Sequence, residues 1–181
     1  MTSQRYAAFL RGMNLGNRRL TNEELCERFA ALGLDHPAAF LASGNVVFEA
    51  PAGEAPDELS RRLEAGLGAA LGYPVPVFLR TGDEIHAIAG HRPFAAGELA
   101  QTAGKLQVAL LTAAPGAAAR ESALALAPAD DRLAFAGREL YWLPRTGVSG
   151  SDLDWKALDR LLGAATIRTH RTIARMAAKF F

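Results

Sequence analysis

Residues 5–33, RYAAFLRGMNLGNRRLTNEELCERFAALG, decide the fold, because a strand, a loop and a helix follow one another directly in this stretch. Arg5 to Arg11 places apolar side chains on both faces of an extended chain, which predicts a central strand. Thr21 and Glu24 have the spacing of a capping box, and apolar residues at helical intervals follow before Gly33. The strand and the helix are therefore the first two elements of an α+β fold.

The next residues predict a hairpin, a second helix and a fourth strand. Ala38 to Ala42 and Asn45 to Glu49 flank the turn residues Ser43-Gly44, a pattern typical of a hairpin. A stripe of leucines, which only a helix would bring together, recurs at every fourth residue: Leu59, Leu63, Leu67 and Leu71. Val75 to Arg80 follows as a strand, and the order β-α-β-β-α-β is that of a ferredoxin-like unit.

That topology predicts the sheet order 4-1-3-2, with strands two and four at the edges. Proline cannot donate a hydrogen bond to a central ladder, so it is confined to edge strands and strand ends. Pro37 falls beside the second predicted strand and Pro76 in the fourth. The positions of both prolines therefore agree with the topology.

The second half of the chain repeats the pattern in part. Thr81 and Glu84 form another capping-box pair, which opens a short connecting helix. Four segments then read as β-α-β-β: Leu106 to Thr112, Gly116 to Leu126, Leu133 to Ala136 and Glu139 to Leu143. A helix near Trp155 and a last helix over Thr169 to Lys179 follow, without an obvious closing strand.

We therefore predict an α+β protein of two ferredoxin-like subdomains, the second of them degenerate and extended by C-terminal helices. The first subdomain spans residues 1–80, a connecting helix and loop span residues 81–105, and the second subdomain spans residues 106–181.

Composition narrows the class of protein. The chain has 181 residues, of which 50% are hydrophobic and 22% charged, so it is long and apolar enough to fold on its own. Its apolar runs are too short to span a bilayer and its start lacks a signal-peptide pattern, which predicts a cytoplasmic protein without a membrane partner. The single cysteine, Cys26, suits a reducing compartment. A net charge of +1 argues against a general nucleic-acid binder but leaves a local basic patch open.

Four strings, RGMNLGN, LASGNVVFEA, RPF and GRELYWLPRTGVS, occur in an order and at spacings that resemble the bacterial family called domain of unknown function 1697. Members of that family share an RGINVGG-like loop, an SGNVVF-like hairpin and a segment resembling TxRNWxTV. The third segment keeps Arg168 and Thr172 here, but Thr169 and His170 stand where Asn and Trp are usual. The resemblance implies a fold of two ferredoxin-like subdomains, and it implies no function because the family carries no established activity.

An anion site is predicted where three loops emerge at one end of the first sheet. In the ferredoxin-like order these are the loop after strand one, the hairpin turn and the loop before strand four, which holds Gly72 and Tyr73. The predicted site comprises Arg11, Gly12, Asn14, Gly16, Arg18, Arg19, Ser43, Gly44 and Asn45. Arginines recognise anions bidentately, and glycines let backbone N–H groups near the first helix approach a ligand. The loop lacks the phosphate-loop and dinucleotide fingerprints, and its glycines and asparagines also fit a purely structural role.

The C-terminal helix carries a second candidate feature, a basic stripe. Four cations recur there at steps of three and four residues, opposite an apolar face: Arg168, Arg171, Arg175 and Lys179. The stripe fits contact with phosphate or nucleic acid, a helix lying on a membrane surface, or a solvated face whose cations suit the helix dipole.

The sequence nominates no catalytic residue, metal ligand or cofactor. His36, His86, His91 and His170 lack the helical spacing of a metal pair. Ser43 has no histidine in its own loop cluster, and Cys26 reads as a packing residue. The carboxylates of Asp130, Asp131, Asp152 and Asp154 flank helices or turns, where capping explains them.

The sequence therefore predicts a binding module for a phosphorylated small molecule or a nucleic-acid backbone, held at the Arg11 to Arg19 loop. Two alternatives stay open: an enzyme acting on a small polar or phosphorylated metabolite between the halves, and an interaction protein that dimerises through a sheet edge or an apolar face. The residues name neither a reaction nor an oligomeric state.

Overall fold

The computed structural model describes residues 3–13, 20–41, 44–102 and 105–181. Within these residues the chain forms two four-stranded antiparallel sheets and seven α-helices, so it is an α+β protein. The chain divides into two compact units, one of residues 1–85 with 179–181 and the other of residues 86–178. Each unit contains one of the sheets.

The first unit contains four strands and two helices: β1 (Ser3–Leu10), α1 (Asn22–Ala31), β2 (Asp35–Ala39), β3 (Asn45–Pro51), α2 (Pro56–Leu71) and β4 (Val77–Thr81). Strand β1 pairs antiparallel with both β3 and β4, and β2 pairs with β3. The resulting order β4-β1-β3-β2 is the predicted one. Pro37 lies in edge strand β2 and Pro76 directly precedes edge strand β4, as the proline argument requires.

The helices of this unit form where the sequence pattern places them. The Thr21 hydroxyl accepts a hydrogen bond from the Glu24 N–H at 3.1 Å, and the Glu24 carboxylate accepts one from the Thr21 N–H at 2.8 Å, so α1 begins with a capping box. Leu25 and Phe29 of α1 are buried against the sheet together with a leucine stripe of α2: Leu59, Leu63 and Leu67. Each fully buried leucine contributes about 1.5 to 3 kcal/mol to the stability of the fold.

The second unit repeats this architecture after a helix that links the units. Its elements are α3 (Gly82–Gly90), which starts in the first unit, α4 (Ala96–Ala100), β5 (Gln107–Leu111), α5 (Ala117–Leu124), β6 (Arg132–Ala136), β7 (Glu139–Leu143), α6 (Trp155–Leu162), β8 (Ala165–Thr169) and α7 (His170–Phe180). The strand order is β6-β7-β5-β8. The core on one face of this sheet is built on Trp142, whose ring packs edge-on against Trp155 at 5.3 Å between centroids.

The second sheet has a closing strand, so the expectation of a degenerate second subdomain was wrong. Strand β8 pairs antiparallel with β5 from Gln107 opposite Thr169 to Leu111 opposite Ala165. The strand is only five residues long and lies between two amphipathic helices, and its arginine continues the basic spacing of the helix that follows. Because of these features the strand was not predicted, and its last two residues, Arg168 and Thr169, were grouped with the following helix. Three of its residues, Thr166, Ile167 and Thr169, are β-branched and favour a strand.

No helix within the described parts of the chain has both the length and the apolar character needed to cross a membrane.

Candidate functional site

Backbone hydrogen bonds fix the end of the first sheet from which the Arg11 loop leaves. The Leu10 N–H donates to the Gly44 carbonyl at 2.8 Å, and the Arg11 N–H donates to the Pro76 carbonyl at 3.1 Å. Arg11 therefore leaves the sheet between the β2-β3 hairpin and the segment that precedes β4.

Two glycines permit the close approach of loop and hairpin at this point. Gly12 has a φ of +79° and Gly44 a φ of +68°, a backbone region that other residues rarely adopt. A Cβ on Gly44 would lie 3.1 Å from Cγ of Met13 and 3.3 Å from Cβ of Leu10. Because Met13 is buried, the start of the loop packs firmly onto the hairpin.

Asn45 belongs to the hairpin itself. Its side chain is fully buried, and its Nδ2 donates to the Phe40 carbonyl at 3.0 Å, while the Phe40 N–H donates to the Asn45 carbonyl at 2.8 Å. These bonds close the turn from inside, so Asn45 shapes the site by holding the hairpin in place.

Four of the nine residues predicted for the anion site are thus described, and they meet at one end of the sheet: Arg11, Gly12, Gly44 and Asn45. The other five lie outside the described residues: Asn14, Gly16, Arg18, Arg19 and Ser43.

The amino terminus of α1 is already occupied by groups of its own chain. The capping box uses the N–H groups of Thr21 and Glu24, and Glu23 and Glu24 add two carboxylates to the first turn. Hydrogen bonds from the Thr21 backbone and side chain lower the pKa of Glu24, which keeps this carboxylate charged. The two carboxylates of the first turn therefore reduce the attraction of the helix terminus for an external anion.

Arg168 does not belong to the basic helix, which corrects the predicted four-residue stripe. It lies in β8, one residue before the strand ends, because α7 begins only at His170. Its Nη1 donates to the Ile167 carbonyl at 2.8 Å and to the Thr166 hydroxyl at 2.9 Å. Burial lowers the pKa of Arg168 to about 10, which leaves the guanidinium protonated at neutral pH.

The remaining cations of the stripe, Arg171, Arg175 and Lys179, are exposed on α7. The opposite face is buried, as predicted, through Ile173, Met176 and Ala177. Arg171 also lines a cavity of the second unit together with Arg92 and Lys105. Sequence reasoning missed the last two, because residues so far apart in the chain share no local pattern.

Asp131 is a second residue whose role the sequence did not reveal. It does not cap a helix: its buried carboxylate accepts hydrogen bonds from the Trp142 Nε1 at 2.8 Å, the Arg145 N–H at 3.1 Å and the Ser151 hydroxyl at 2.5 Å. Asp154, by contrast, caps α6 as predicted, by accepting from the Ala157 N–H at 3.0 Å. The only hint for Asp131 was a buried tryptophan whose N–H needed a partner.

Among the described residues, no three histidine, cysteine, aspartate or glutamate side chains come together in a group that could hold a metal ion.

Fold and site together define an α+β protein of two sheet-and-helix units with a glycine- and arginine-containing loop at one sheet end. The chain belongs to the family described as protein of unknown function (DUF1697), whose pattern matches residues 3–141. A search of curated proteins found no match. The conserved bacterial protein SP0830 from Streptococcus pneumoniae has a similar structure, with a TM-score of 0.77 and 19% identity over 98% of this chain and 100% of that one. At that identity the likeness shows the fold alone.

Proposed function

We propose that this protein binds a phosphorylated small molecule at the end of the first sheet, where Arg11 and Gly12 meet Gly44. The observation that carries the proposal is the pair of hydrogen bonds from Leu10 to Gly44 and from Arg11 to Pro76, at 2.8 and 3.1 Å. They set the start of an arginine-rich loop between two other loop segments, so that backbone and guanidinium donors of separate segments can converge on one ligand.

Charge supports an anionic ligand at this loop. From Arg11 to Leu20 the sequence contains three arginines, Arg11, Arg18 and Arg19, and no acidic residue. The proposed site also includes Asn14 and Ser43, whose amide and hydroxyl groups suit phosphate oxygens, and the backbone of Gly16, while Asn45 holds the hairpin in place. Because the first turn of α1 carries its own carboxylates, the arginines supply most of the attraction in this proposal.

A small ligand fits the charge of the chain better than a nucleic acid does. Nucleic-acid binding rests on many phosphate contacts by lysine and arginine, whereas the net charge here is only +1. A single phosphate group can be held by far fewer such contacts, since one arginine can bind it bidentately.

Calorimetric titration of inorganic phosphate and pyrophosphate tests the proposal. We expect saturable binding to the wild type that weakens at high salt and falls by about tenfold or more in an Arg18→Ala, Arg19→Ala double variant, because each charge-assisted hydrogen bond contributes about 1.5 to 3 kcal/mol. The control is an Arg28→Ala, Arg61→Ala double variant, which removes two exposed arginines from α1 and α2 of the same unit. Equal binding by all three proteins would contradict the proposal that this loop binds phosphate.

A parallel titration with a short single-stranded RNA separates the two ligand classes. Binding of RNA that depends on Arg18 and Arg19, together with no binding of phosphate or pyrophosphate, would replace the small molecule by a nucleic-acid backbone.

We further infer that each unit is a ferredoxin-like unit and that the protein works in the cytoplasm. The β-α-β-β-α-β order of both units supports the first inference. The single cysteine, Cys26, supports a cytoplasmic location, since proteins of reducing compartments rarely contain disulfides.

A further inference from the structure

A cavity of about 340 Å³ in the second unit is bordered by three cations that come from three different segments. Arg92 follows α3, Lys105 precedes β5, and Arg171 lies in the first turn of α7. Of the described residues that line the cavity, none is acidic. Like charges gather in this way at an energetic cost, which a bound anion would relieve.

The three cations are not neutralised by the protein around them. Among the described residues, Arg92, Lys105 and Arg171 form no ion pair with a carboxylate. Arg92 is instead anchored through its Nη1, which donates to the carbonyls of Ala89 at 2.8 Å and His91 at 2.9 Å. The described residues provide no partner for its Nε and Nη2, so these donors can serve a ligand.

The wall of the cavity beside Arg92 is held in place by His170. The His170 N–H donates to the Leu106 carbonyl at 2.9 Å, and its ring Nε2 lies 3.0 Å from the Ile88 carbonyl. These bonds tie the start of α7 to the segment before β5 and to α3. The positive end of the α7 dipole therefore lies at the cavity and adds to the attraction for an anion.

The cavity also has an apolar part, formed by Leu99 of α4 and Leu106. Its volume lies within the range of sites for small organic ligands and is larger than a bare phosphate requires. A ligand that fills it would combine an anionic group with an apolar or aromatic group.

We infer that this cavity is a binding site for an organic phosphate, with the phosphate held by Arg92, Lys105 and Arg171 and the organic group packed on Leu99 and Leu106. This site is separate from the loop of the first unit and does not depend on it.

Calorimetric titration of the full chain with phenyl phosphate, inorganic phosphate and phenol tests the site. We expect phenyl phosphate to bind more tightly than either of the other two, because only it offers both groups. A Lys105→Ala, Arg171→Ala double variant should bind phenyl phosphate about tenfold more weakly or worse, since each cation contributes a charge-assisted contact. A Lys156→Ala, Arg160→Ala variant, which removes two exposed cations of α6, should bind within about twofold of the wild type.

Two further variants make the result specific. Leu99→Ala should weaken the binding of phenyl phosphate and leave the binding of inorganic phosphate unchanged. The Arg18→Ala, Arg19→Ala variant should bind phenyl phosphate in this cavity as tightly as the wild type does. Thermal melting of each variant checks that the fold is intact. The inference is overturned if the Lys105 and Arg171 substitutions leave binding unchanged, or if phenyl phosphate binds no better than inorganic phosphate.

Discussion

Asp131 illustrates, at the scale of single residues, how one buried carboxylate can hold several segments together. Its three hydrogen-bond donors come from β7, from the residue two places after β7 and from the loop before α6. The Trp142 indole is fully buried, so its N–H cannot form a hydrogen bond with water if the carboxylate is removed.

Replacement of Asp131 by alanine should therefore destabilise the protein strongly. We expect a loss of about 3 kcal/mol in the free energy of unfolding, since the change leaves a buried indole N–H and a backbone N–H without a partner. Chemical denaturation measures this value. The control is Asp130→Ala, because Asp130 is largely exposed and its ion pair with Arg145 contributes at most about 1 kcal/mol. Similar losses for both variants would contradict the role given to Asp131.

His170 makes stability depend on pH in a defined direction. Burial lowers the pKa of His170 from its ordinary value of 6.5, and the charge of nearby Arg92 also lowers it, against hydrogen bonds to the backbone of Ile88 and His91 that raise it. The unfolded chain therefore takes up a proton more readily than the folded one, so the free energy of unfolding falls as the pH drops through about 6.5 toward the lowered pKa.

Thermal melts between about pH 5 and pH 8 on wild type and His170→Asn test this sign. We expect the stability of the wild type relative to the variant to decrease toward acid pH. A difference that stays constant, or that grows as the pH falls, would show that His170 is not held in its neutral form.

The sequence revealed individual side-chain roles only where the partner was local. Asp154 could be recognised as a cap because its partner lies three residues away in the chain, whereas the partners of Asp131 lie eleven to twenty residues away. The cations around the second-unit cavity are still farther apart in sequence. Long-range partners of this kind follow from the packing of strands, which no local pattern records.

Helix α1 gives a test at the scale of secondary-structure elements. Replacing Thr21 by alanine removes the hydroxyl that accepts from the Glu24 N–H at 3.1 Å, and we expect the free energy of unfolding to fall by about 1 kcal/mol. Thr21→Ser keeps the hydroxyl and should stay close to the wild type in the same denaturation experiment. Equal losses in both variants would indicate that the cap contributes nothing.

Elements with a long, regular apolar pattern were predicted correctly, and short irregular ones were not. The leucine stripe identified α2 because it repeats over several turns, and the capping box identified α1 because its two partners lie only three residues apart. Strand β2 spans Asp35–Ala39 where Ala38 to Ala42 was predicted, and it contains a register irregularity at which His36 has a φ of +51°, a feature without a local sequence pattern. Strand β8 was missed because its five residues include an arginine that matched the spacing of the next helix.

At the scale of the whole molecule, both sheets have the same arrangement at their last strand: an arginine in the strand, followed by a threonine that caps the next helix. Arg80 in β4 pairs across from Ala7 of β1, and Arg168 in β8 pairs across from Val108 of β5. Each arginine donates from Nη1 to the carbonyl of the residue before it, at 2.8 Å in both cases.

A threonine follows each arginine, and each threonine hydroxyl accepts from the N–H three residues later, at 3.3 Å for Thr81 and 3.1 Å for Thr169. The closing strand, its arginine and the helix cap therefore occur together in both units, which supports an origin of the two units by duplication. The sequence indicated a repeat but did not reveal β8, because the two units share few residues at this strand and the helix that follows it.

The sequence could also predict which loops meet at the end of the first sheet, since strand order and direction determine where each loop emerges. The predicted topology put Arg11 near Gly44, and the hydrogen bonds of Leu10 and Arg11 agree with this. It could not predict the cavity of the second unit, because β8, the strand that leads into its wall, was not predicted and its last residue, Thr169, was assigned to the following helix.

The most direct test of phosphate binding at the first sheet is a nuclear magnetic resonance titration of the isotope-labelled full chain with pyrophosphate. We predict that the backbone amide signals of Gly12 and Gly44 shift in a saturable manner and that the Arg18→Ala, Arg19→Ala variant needs about tenfold or more pyrophosphate to show the same shifts. Unchanged Gly12 and Gly44 signals, while signals elsewhere in the protein move or none move at all, would contradict the proposed site.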